Sequence, residues 1–440
     1  MEDWTRDIED NTMSTATISA SDSAVQSALH FFDELFAGYT ARDFEIRLWD
    51  GTLWSHSQRS RFTLVFRHPG ALRAMFTSMS QLSFAEAFIY GDIDFEGDIQ
   101  AVFPVSDFLL ARDYSLTEKL RLRKMLAQIP ATASPRDTQL DPGLRGSLHS
   151  RNRDRRAVTY HYDLSNRFYS LWLDRRMVYS CAYFTSPASD LDTAQAAKLD
   201  YICRKLRLCP GDRFLDVGCG WGGLILHAAA NYGVTALGVT LSQAQADLAR
   251  DRIREAGLSD RCTVETCDYR DLDTAHPFDK VASVGMFEHV GESRLPEYFQ
   301  RVWNLLRAGG AFLNHGIAVS AGYRRRGESF IDKYVFPDGE LVPIHTTIRT
   351  AQSVGFEVRD VENLREHYTL TLQEWVRRLE ANAGKALQTV SDTTYRIWRL
   401  YMSGSAHAFR TGRLELHQVL FTKPGSGISS LPLTRVDWYS

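Results

Sequence analysis

The sequence predicts an α/β fold: a Rossmann-like parallel sheet with helices on both faces and a helical cap, preceded by a small α+β domain. Three observations carry this. From about Thr193 onward, short apolar runs alternate with helical stretches, the succession that builds a parallel sheet. A glycine-rich turn, Gly218-Cys219-Gly220-Trp221-Gly222-Gly223, follows the first of these runs and opens a helix. The first hundred residues mix strand-like alternation with helical patterns and lack that regular succession.

Residues 1–24 are polar and acidic, rich in Ser and Thr, and read as a disordered tail. Val25 to Ala37 is helical. Phe44, Ile46 and Leu48 alternate with polar or half-exposed neighbours as a strand does, and Asp50-Gly51 is a hairpin signal. Phe62, Leu64 and Phe66 alternate again before His68-Pro69-Gly70; Ala71 to Met79 and Ser83 to Tyr90 then read as helices. Residues 25–112 form the small domain. Residues 113–157 are a basic linker interrupted by Pro130, Pro135 and Pro142. Within it, Glu118 to Gln128 is a helix whose Leu120, Leu122, Met125 and Leu126 share one face. It reads either as a solvated linker helix or as a membrane-surface contact.

In residues 158–425, strands are expected at Arg213–Val217, Val234–Val239, Cys262–Thr266, Lys280–Val284, Ala311–His315, Glu357–Val361 and Leu414–Phe421. Helices fall at Lys198–Leu206, Trp221–Tyr232 and Gln243–Ala256, and a mostly helical cap spans Thr371 to Arg410. Residues 426–440 are a tail.

Composition is that of an ordinary globular protein, 44% apolar and 24% charged, with a net charge of −3. The charge is uneven. Lys119 to Arg156 holds ten Lys/Arg against three Asp, a local +7 that favours an anionic partner surface. Arg324-Arg325-Arg326 is a second candidate contact. The six cysteines form no C-x-x-C pair and no zinc spacing, so no metal is expected and a reducing cytosol is. No apolar run reaches the ~18 residues of a membrane span, and the first residues are not a signal peptide. The expectation is a cytoplasmic protein, peripheral to the inner face of the membrane at most.

The glycine motif carries the first chemistry. Asp216 precedes Gly218 by two residues. A carboxylate there receives the ammonium of an amino-acid moiety and repels a pyrophosphate, which argues against a nicotinamide dinucleotide. The stretch Leu215 to Gly223 resembles the first motif of class I S-adenosylmethionine-dependent methyltransferases. Four further stretches narrow the resemblance: His161-Tyr162-Asp163-Leu164-Ser165-Asn166, Tyr179-Ser180-Cys181-Ala182-Tyr183-Phe184, Ser283 to Gly291, and Asp332 to Pro337. In order and spacing they are similar to those of the cyclopropane-fatty-acyl-phospholipid synthases and the related mycolic acid methyltransferases, over about Val158 to Lys423. The region before Asp107 is similar to the lipid-binding N-terminal domain of the bacterial synthases.

That resemblance implies S-adenosyl-L-methionine as cofactor. Tyr179, Ser180, Asp216, Gly218, Gly220, Thr240, Leu241, Gln245, Asp268 and Tyr269 are its expected contacts, with Asp268 meeting adenine. It further implies transfer of a methyl group to the cis double bond of an unsaturated acyl chain of a membrane phospholipid. The acceptor has no proton for a base to remove beforehand, so alignment is the main task. The resulting carbocation needs aromatic faces, and a base then removes a proton so that the ring closes. By resemblance the base is bicarbonate, held by Glu288, His315 and Tyr368 with backbone groups of Cys181 and Ile317. Taken alone, Cys181 reads equally as a small buried residue, His315 as a core histidine and Tyr368 as packing. Two positions depart from the family pattern: Gly316 between His315 and Ile317, where Thr is more frequent, and Ser165, where bacterial synthases often carry Gly.

A methyl- or methylene-branched product fits the same residues. A small-molecule or RNA methyltransferase fits the same fold. Nucleic acid is not expected, because the Arg-rich stretch lacks interleaved stacking aromatics. A non-catalytic lipid carrier is disfavoured by the intact motifs. A homodimer is left open.

Overall fold

The structure is a computed structural model that describes residues 20–55, 59–131, 146–162, 164–322, 329–425 and 431–439. The chain divides into two compact units, residues 1–135 and 136–440. Arg324 to Arg326, Pro135, Pro142 and most of the N-terminal tail lie outside the described residues.

The first unit holds β1 (Phe44–Arg47), β2 (Leu53–Ser55), β3 (Phe62–Phe66) and β4 (Ile93–Gly97) in the order β2-β1-β3-β4. The Asp50-Gly51 turn joins β1 to the short antiparallel β2, while β3 lies parallel to β1. Phe31, Phe32, Phe36, Phe44 and Phe66 fill the core. Pro69 opens the next helix, Pro69–Ser78, where a missing N–H costs nothing. The helix Leu116–Ala127 starts with a Ser115/Glu118 capping box. Its expected apolar stripe is corrected. Leu122 and Leu126, one turn apart, are buried, whereas Leu120 is 65% exposed and Leu116 is 79% exposed. Residues two apart on a helix do not share a face.

The second unit begins differently from the expected linker. Residues 151–162 form a helix, fastened by ion pairs from Arg153 to Asp338 (2.5 Å) and from Asp154 to Arg270 (3.1 Å). It opens with six consecutive polar residues, Arg151 to Arg156, which give no periodic apolar signal. The end of the chain is also less tail-like than expected: Trp438 is buried, with Lys205 Nζ 5.6 Å from its ring.

The sheet contains β5 (Arg213–Val217), β6 (Thr235–Thr240), β7 (Cys262–Thr266), β8 (Phe278–Val284), β9 (Leu306–Val319), β10 (Glu357–Asn363) and β11 (Leu414–Thr422), in the order β10-β11-β9-β8-β5-β6-β7. β5 to β9 are parallel, as expected. β11 runs antiparallel between β9 and β10, which corrects the wholly parallel expectation. The helices Arg365–Ala381 and Asp392–Arg410 separate β10 from β11, and the chain returns from them in the opposite sense. Alternation along β5 feeds both faces: Phe214 packs with the helices Leu191–Leu206, Gly223–Tyr232 and Gln243–Glu255, and Leu215 with the helix Leu295–Leu305. Strand order reverses at β5, which has β6 on one side and β8 on the other. The carboxyl ends there form the crevice in which α/β proteins bind ligands. Among the described residues no helix is long and apolar enough to cross a membrane.

Candidate active site

A cleft with about 1260 Å³ of empty space, part of it open to solvent, lies at that reversal point. Its floor is the turn after β5. Gly218 has φ +85°, and a Cβ there would stand 2.8 Å from the Met286 side chain, so only glycine lets this turn close. The Gly218 and Cys219 amides donate to the Val239 carbonyl, each at 2.9 Å, pinning the turn to β6. Asp216 sits at the end of β5, 2% exposed, with Oδ1 unpartnered. Burial pushes its carboxyl up to about 7, with Lys198 opposing that rise. An enclosed carboxylate oxygen without a donor fits an incoming ammonium.

All ten expected cofactor contacts, Tyr179, Ser180, Asp216, Gly218, Gly220, Thr240, Leu241, Gln245, Asp268 and Tyr269, line this one cleft. Thr240 donates its hydroxyl to Gln245 Oε1 (2.8 Å), so the two act as a unit. Asp268 is gripped by the Arg270 guanidinium (2.9 and 2.7 Å) and backbone N–H (2.9 Å). Burial pushes its carboxyl up, but these donors outweigh it and hold it below the usual range. Sequence reading missed Lys198, Asp154, Arg270 and His289, which also line the cleft. Lys198 and Asp154 come from helices without a local signature, whereas His289 falls inside the Ser283 to Gly291 motif and Arg270 directly follows Tyr269.

The five residues expected to hold the base are outside this cleft and meet next to it. His315 pairs in register with Val284 at the end of β8, and its carbonyl accepts from Gly285 N (2.9 Å). Three residues past Gly285, Glu288 Oε1 accepts from the Ile317 backbone N–H (2.8 Å). Ile317 is in register with Leu416, whose carbonyl accepts from Leu364 N (2.7 Å). The Leu364 carbonyl accepts from Tyr368 N (3.1 Å) and faces Cys181 Sγ at 3.9 Å. Segments spanning nearly two hundred residues of sequence thus converge. Ile317 differs from expectation in one respect: its N–H is already taken by Glu288.

Two polar atoms there are buried and unpartnered, Glu288 Oε2 and His315 Nε2. Gln418 Nε2 lies 3.2 Å from His315 Nδ1. An amide nitrogen donates, so this contact assigns the ring proton to Nε2. Burial holds His315 neutral, far below its usual range, and lifts Glu288 to about 7. One buried acceptor and one buried N–H donor without partners, on segments joined at Ile317, fit a small anion that carries its own O–H. Both departures from the family pattern have local reasons. A Cβ at Gly316 would meet the Phe287 ring at 3.0 Å, and Ser165 caps the helix Asn166–Ser170 by accepting from Phe168 N (3.2 Å).

An aromatic shell surrounds the strap that carries Tyr179. Trp375 lies 5.2 Å and Trp398 6.0 Å from the Tyr179 ring, and Trp172 packs against Trp375 at 5.4 Å. The Phe336 ring lies 3.9 Å from that of His161, tilted by 31°, which joins two of the sequence motifs. The Tyr179 hydroxyl reaches that of Tyr401 (3.4 Å), which burial lifts to about 12 with Glu288 adding to the rise. Trp375, Trp398 and Tyr401 come from the cap helices. Their aromatic spacing was the one available signal, and it does not distinguish a core from a cavity wall.

Residues 149–419 match the family described as mycolic acid cyclopropane synthetase, and residues 31–107 match a domain of unknown function. The chain is 42% identical to a probable fatty acid methyltransferase of Pseudomonas putida, over 90% of this chain and 95% of that one. It is 39% identical to the cyclopropane-fatty-acyl-phospholipid synthase of Escherichia coli, over 63% of this chain and 70% of that one. The crystal structure of mycolic acid cyclopropane synthase CmaA1 complexed with SAH and CTAB superposes with a TM-score of 0.58 at 35% identity, covering 61% of this chain and 98% of that one. The chain belongs to the mycolic acid cyclopropane synthetase family of S-adenosylmethionine-dependent lipid methyltransferases.

Proposed function

We propose that this protein methylates the cis double bond of an unsaturated fatty acyl chain in a membrane phospholipid and closes the product to a cyclopropane ring. The observation that carries this reading is the pair of buried, unpartnered atoms Glu288 Oε2 and His315 Nε2 next to an aromatic shell. A methyltransferase acting on an amine or hydroxyl needs a base for its acceptor. An alkene needs enclosure first and deprotonation afterwards.

S-adenosylmethionine supplies an electrophilic methyl when bound. Asp216 receives its ammonium, and Thr240, Gln245 and Asp268 receive its more distant polar groups. Tyr179, Trp375 and Trp398 exclude water and offer ring faces to a developing positive charge. Glu288, His315 and Tyr368 hold bicarbonate, which supplies the base. Glu288 takes the ion's own O–H, which removes the apparent repulsion between two anions, and His315 Nε2–H satisfies another oxygen. A carboxyl lifted to about 7 by burial reaches this state once it is ionised.

The similarity to a probable fatty acid methyltransferase of Pseudomonas putida supports acyl-chain methylation and leaves ring against branch as the point to test. Mass spectrometry of lipids from cells expressing the chain should show unsaturated acyl chains gaining the mass of one CH2, with the fragmentation of a ring. Fragmentation of a methyl or methylene branch would move the reading to branched-chain formation. No mass gain on any lipid would reject both.

A further inference from the structure

Lys198 lies in the cleft wall on the helix Leu191–Leu206, and 1% of it is exposed. Burying an ammonium where a cationic cofactor must also bind is electrostatically costly, so its presence needs a physical reason. Its Nζ donates to Ser180 Oγ (2.8 Å). Gln195, about one turn earlier, donates to the carbonyls of Val178 (3.2 Å) and Ser180 (2.8 Å). The helix thereby grips the strap Val178–Cys181 with two side chains. The charge of Lys198 acts on groups from several elements: Asp174, the Cys181 thiol, Asp216 on β5 and His315 on β9. Asp216 is also faced by the thiols of Cys203 and Cys219, and Lys198 is the charge that opposes its burial.

We propose that Lys198 is a positioning residue for the cofactor: its buried ammonium fixes Ser180 in the strap and supplies the positive charge against which Asp216 is presented, as a carboxylate, to the cofactor's ammonium. This rests on the reading of Asp216 given above. With Lys198 in place burial already lifts this carboxyl to about 7; without that charge it would take its proton above neutral pH, and a neutral acid is a much weaker partner for an ammonium. Lysine at 198 thus helps to bind a cation by keeping its receptor charged.

The test is calorimetric titration of the full chain with S-adenosylhomocysteine between about pH 6 and about pH 9, where one unit of pKa displacement is tenfold in binding. Wild type, Lys198→Met, Lys198→Gln, Lys198→Arg and Asp216→Asn are compared. Carbon NMR of the Asp216 carboxyl in ligand-free protein gives a readout independent of turnover. In Lys198→Met the Asp216 titration should move up by at least about one unit. Affinity at pH 7 should then fall at least ~5-fold, and the gap to wild type should close toward pH 9. Lys198→Gln keeps a donor for Ser180 but no charge and should show the same displacement, which covers a failure of the methionine variant to fold. Lys198→Arg should restore the wild-type profile. Adding Lys198→Gln, which keeps a donor for Ser180, to Asp216→Asn should change affinity no further. A loss by the same factor at every pH, or no loss, overturns the proposal while leaving Asp216 in place. Wild-type affinity in Asp216→Asn overturns both.

Discussion

The cofactor cleft and the proposed base site meet at the end of β8 and are built by opposite means. The cleft is made largely of consecutive residues at strand-to-helix turns: Asp216 to Gly220, Thr240 to Gln245, Asp268 and Tyr269. It is partly open, and its polar groups are mostly paired with one another. The proposed base site draws on Cys181, Glu288, His315, Ile317 and Tyr368 from separate segments, and two of its polar atoms are buried without partners. The difference teaches that binding the cofactor can be written into short motifs, whereas a dry site for handling a proton needs tertiary convergence. Substitutions in the two places should therefore fail differently.

The largest effect is expected in the base pocket. Glu288→Gln should lower turnover by ~10³-fold, within the range of lost acid–base function, with S-adenosylhomocysteine affinity unchanged by calorimetry. Wild-type turnover should collapse in rigorously decarbonated buffer and return on adding bicarbonate. A fully active Glu288→Gln, together with indifference to bicarbonate, would assign the base elsewhere. The cleft should show the converse. Asp216→Ala should weaken cofactor binding by ~100-fold, because a buried ammonium loses its partner, in a protein that remains folded by circular dichroism. Near-wild-type affinity would remove Asp216 from the cofactor site.

The pH profiles should separate the two places. Glu288 is lifted to about 7 by burial, and the ionised form is the active one. At saturating cofactor the rate should therefore fall roughly tenfold per unit as pH drops below that value, and this limb should vanish in Glu288→Gln. Asp216, likewise lifted to about 7 by burial, should give a similar limb in cofactor affinity, unaffected by Glu288→Gln. One limb common to both measurements, abolished by a single substitution, would break the distinction.

The two places also differed in how far the sequence revealed them. Leu215 to Gly223 could be read directly, because a strand, a carboxylate and closely spaced glycines admit few geometries. The presence of β5 to β9 and their parallel sense followed from the alternation of apolar runs and helices. The antiparallel insertion of β11 was not legible, since strand direction depends on where the chain returns after the cap. Residues 151–157 read as linker because the helix they open is held by Arg153–Asp338 and Asp154–Arg270 ion pairs, which leave no hydrophobic period. Lys198 was invisible for a related reason: a lysine on an amphipathic helix looks solvent-facing, and only packing shows it buried. Glu288, His315 and Tyr368 came from resemblance, and no spacing within one segment would have joined them.

A smaller effect is expected from Tyr368→Phe. One donor is lost while the ring stays packed on Phe409 at 4.6 Å and against Trp375 at 6.0 Å. Turnover should fall ~10-fold, the worth of about one hydrogen bond, with affinity for the cofactor unchanged. A loss as large as that of Glu288→Gln would mean that the tyrosine acts on the proton itself.

The smallest effect concerns how the acyl substrate is reached, and it contrasts the two units. Arg151 and Arg153 of the second unit are paired with Asp271 and Asp338, which discounts the raw +7 of Lys119 to Arg156. On the helix Leu116–Ala127 of the first unit, Lys119, Arg123 and Lys124 are exposed beside Leu116 and Leu120. Residues 116, 119, 120 and 123 are spaced as one helical face, so basic and apolar side chains there present a mixed stripe suited to an anionic bilayer. Each well-placed basic residue near such a surface contributes about 1 kcal/mol. Lys119→Gln and Arg123→Gln should each weaken binding to anionic vesicles ~5-fold, and raising the salt should shrink the difference. Arg151→Gln, whose charge is already neutralised by Asp271, should change vesicle binding little. Equal binding to neutral vesicles, or equal losses from the paired and unpaired arginines, would show that this helix does not meet the membrane through its charge.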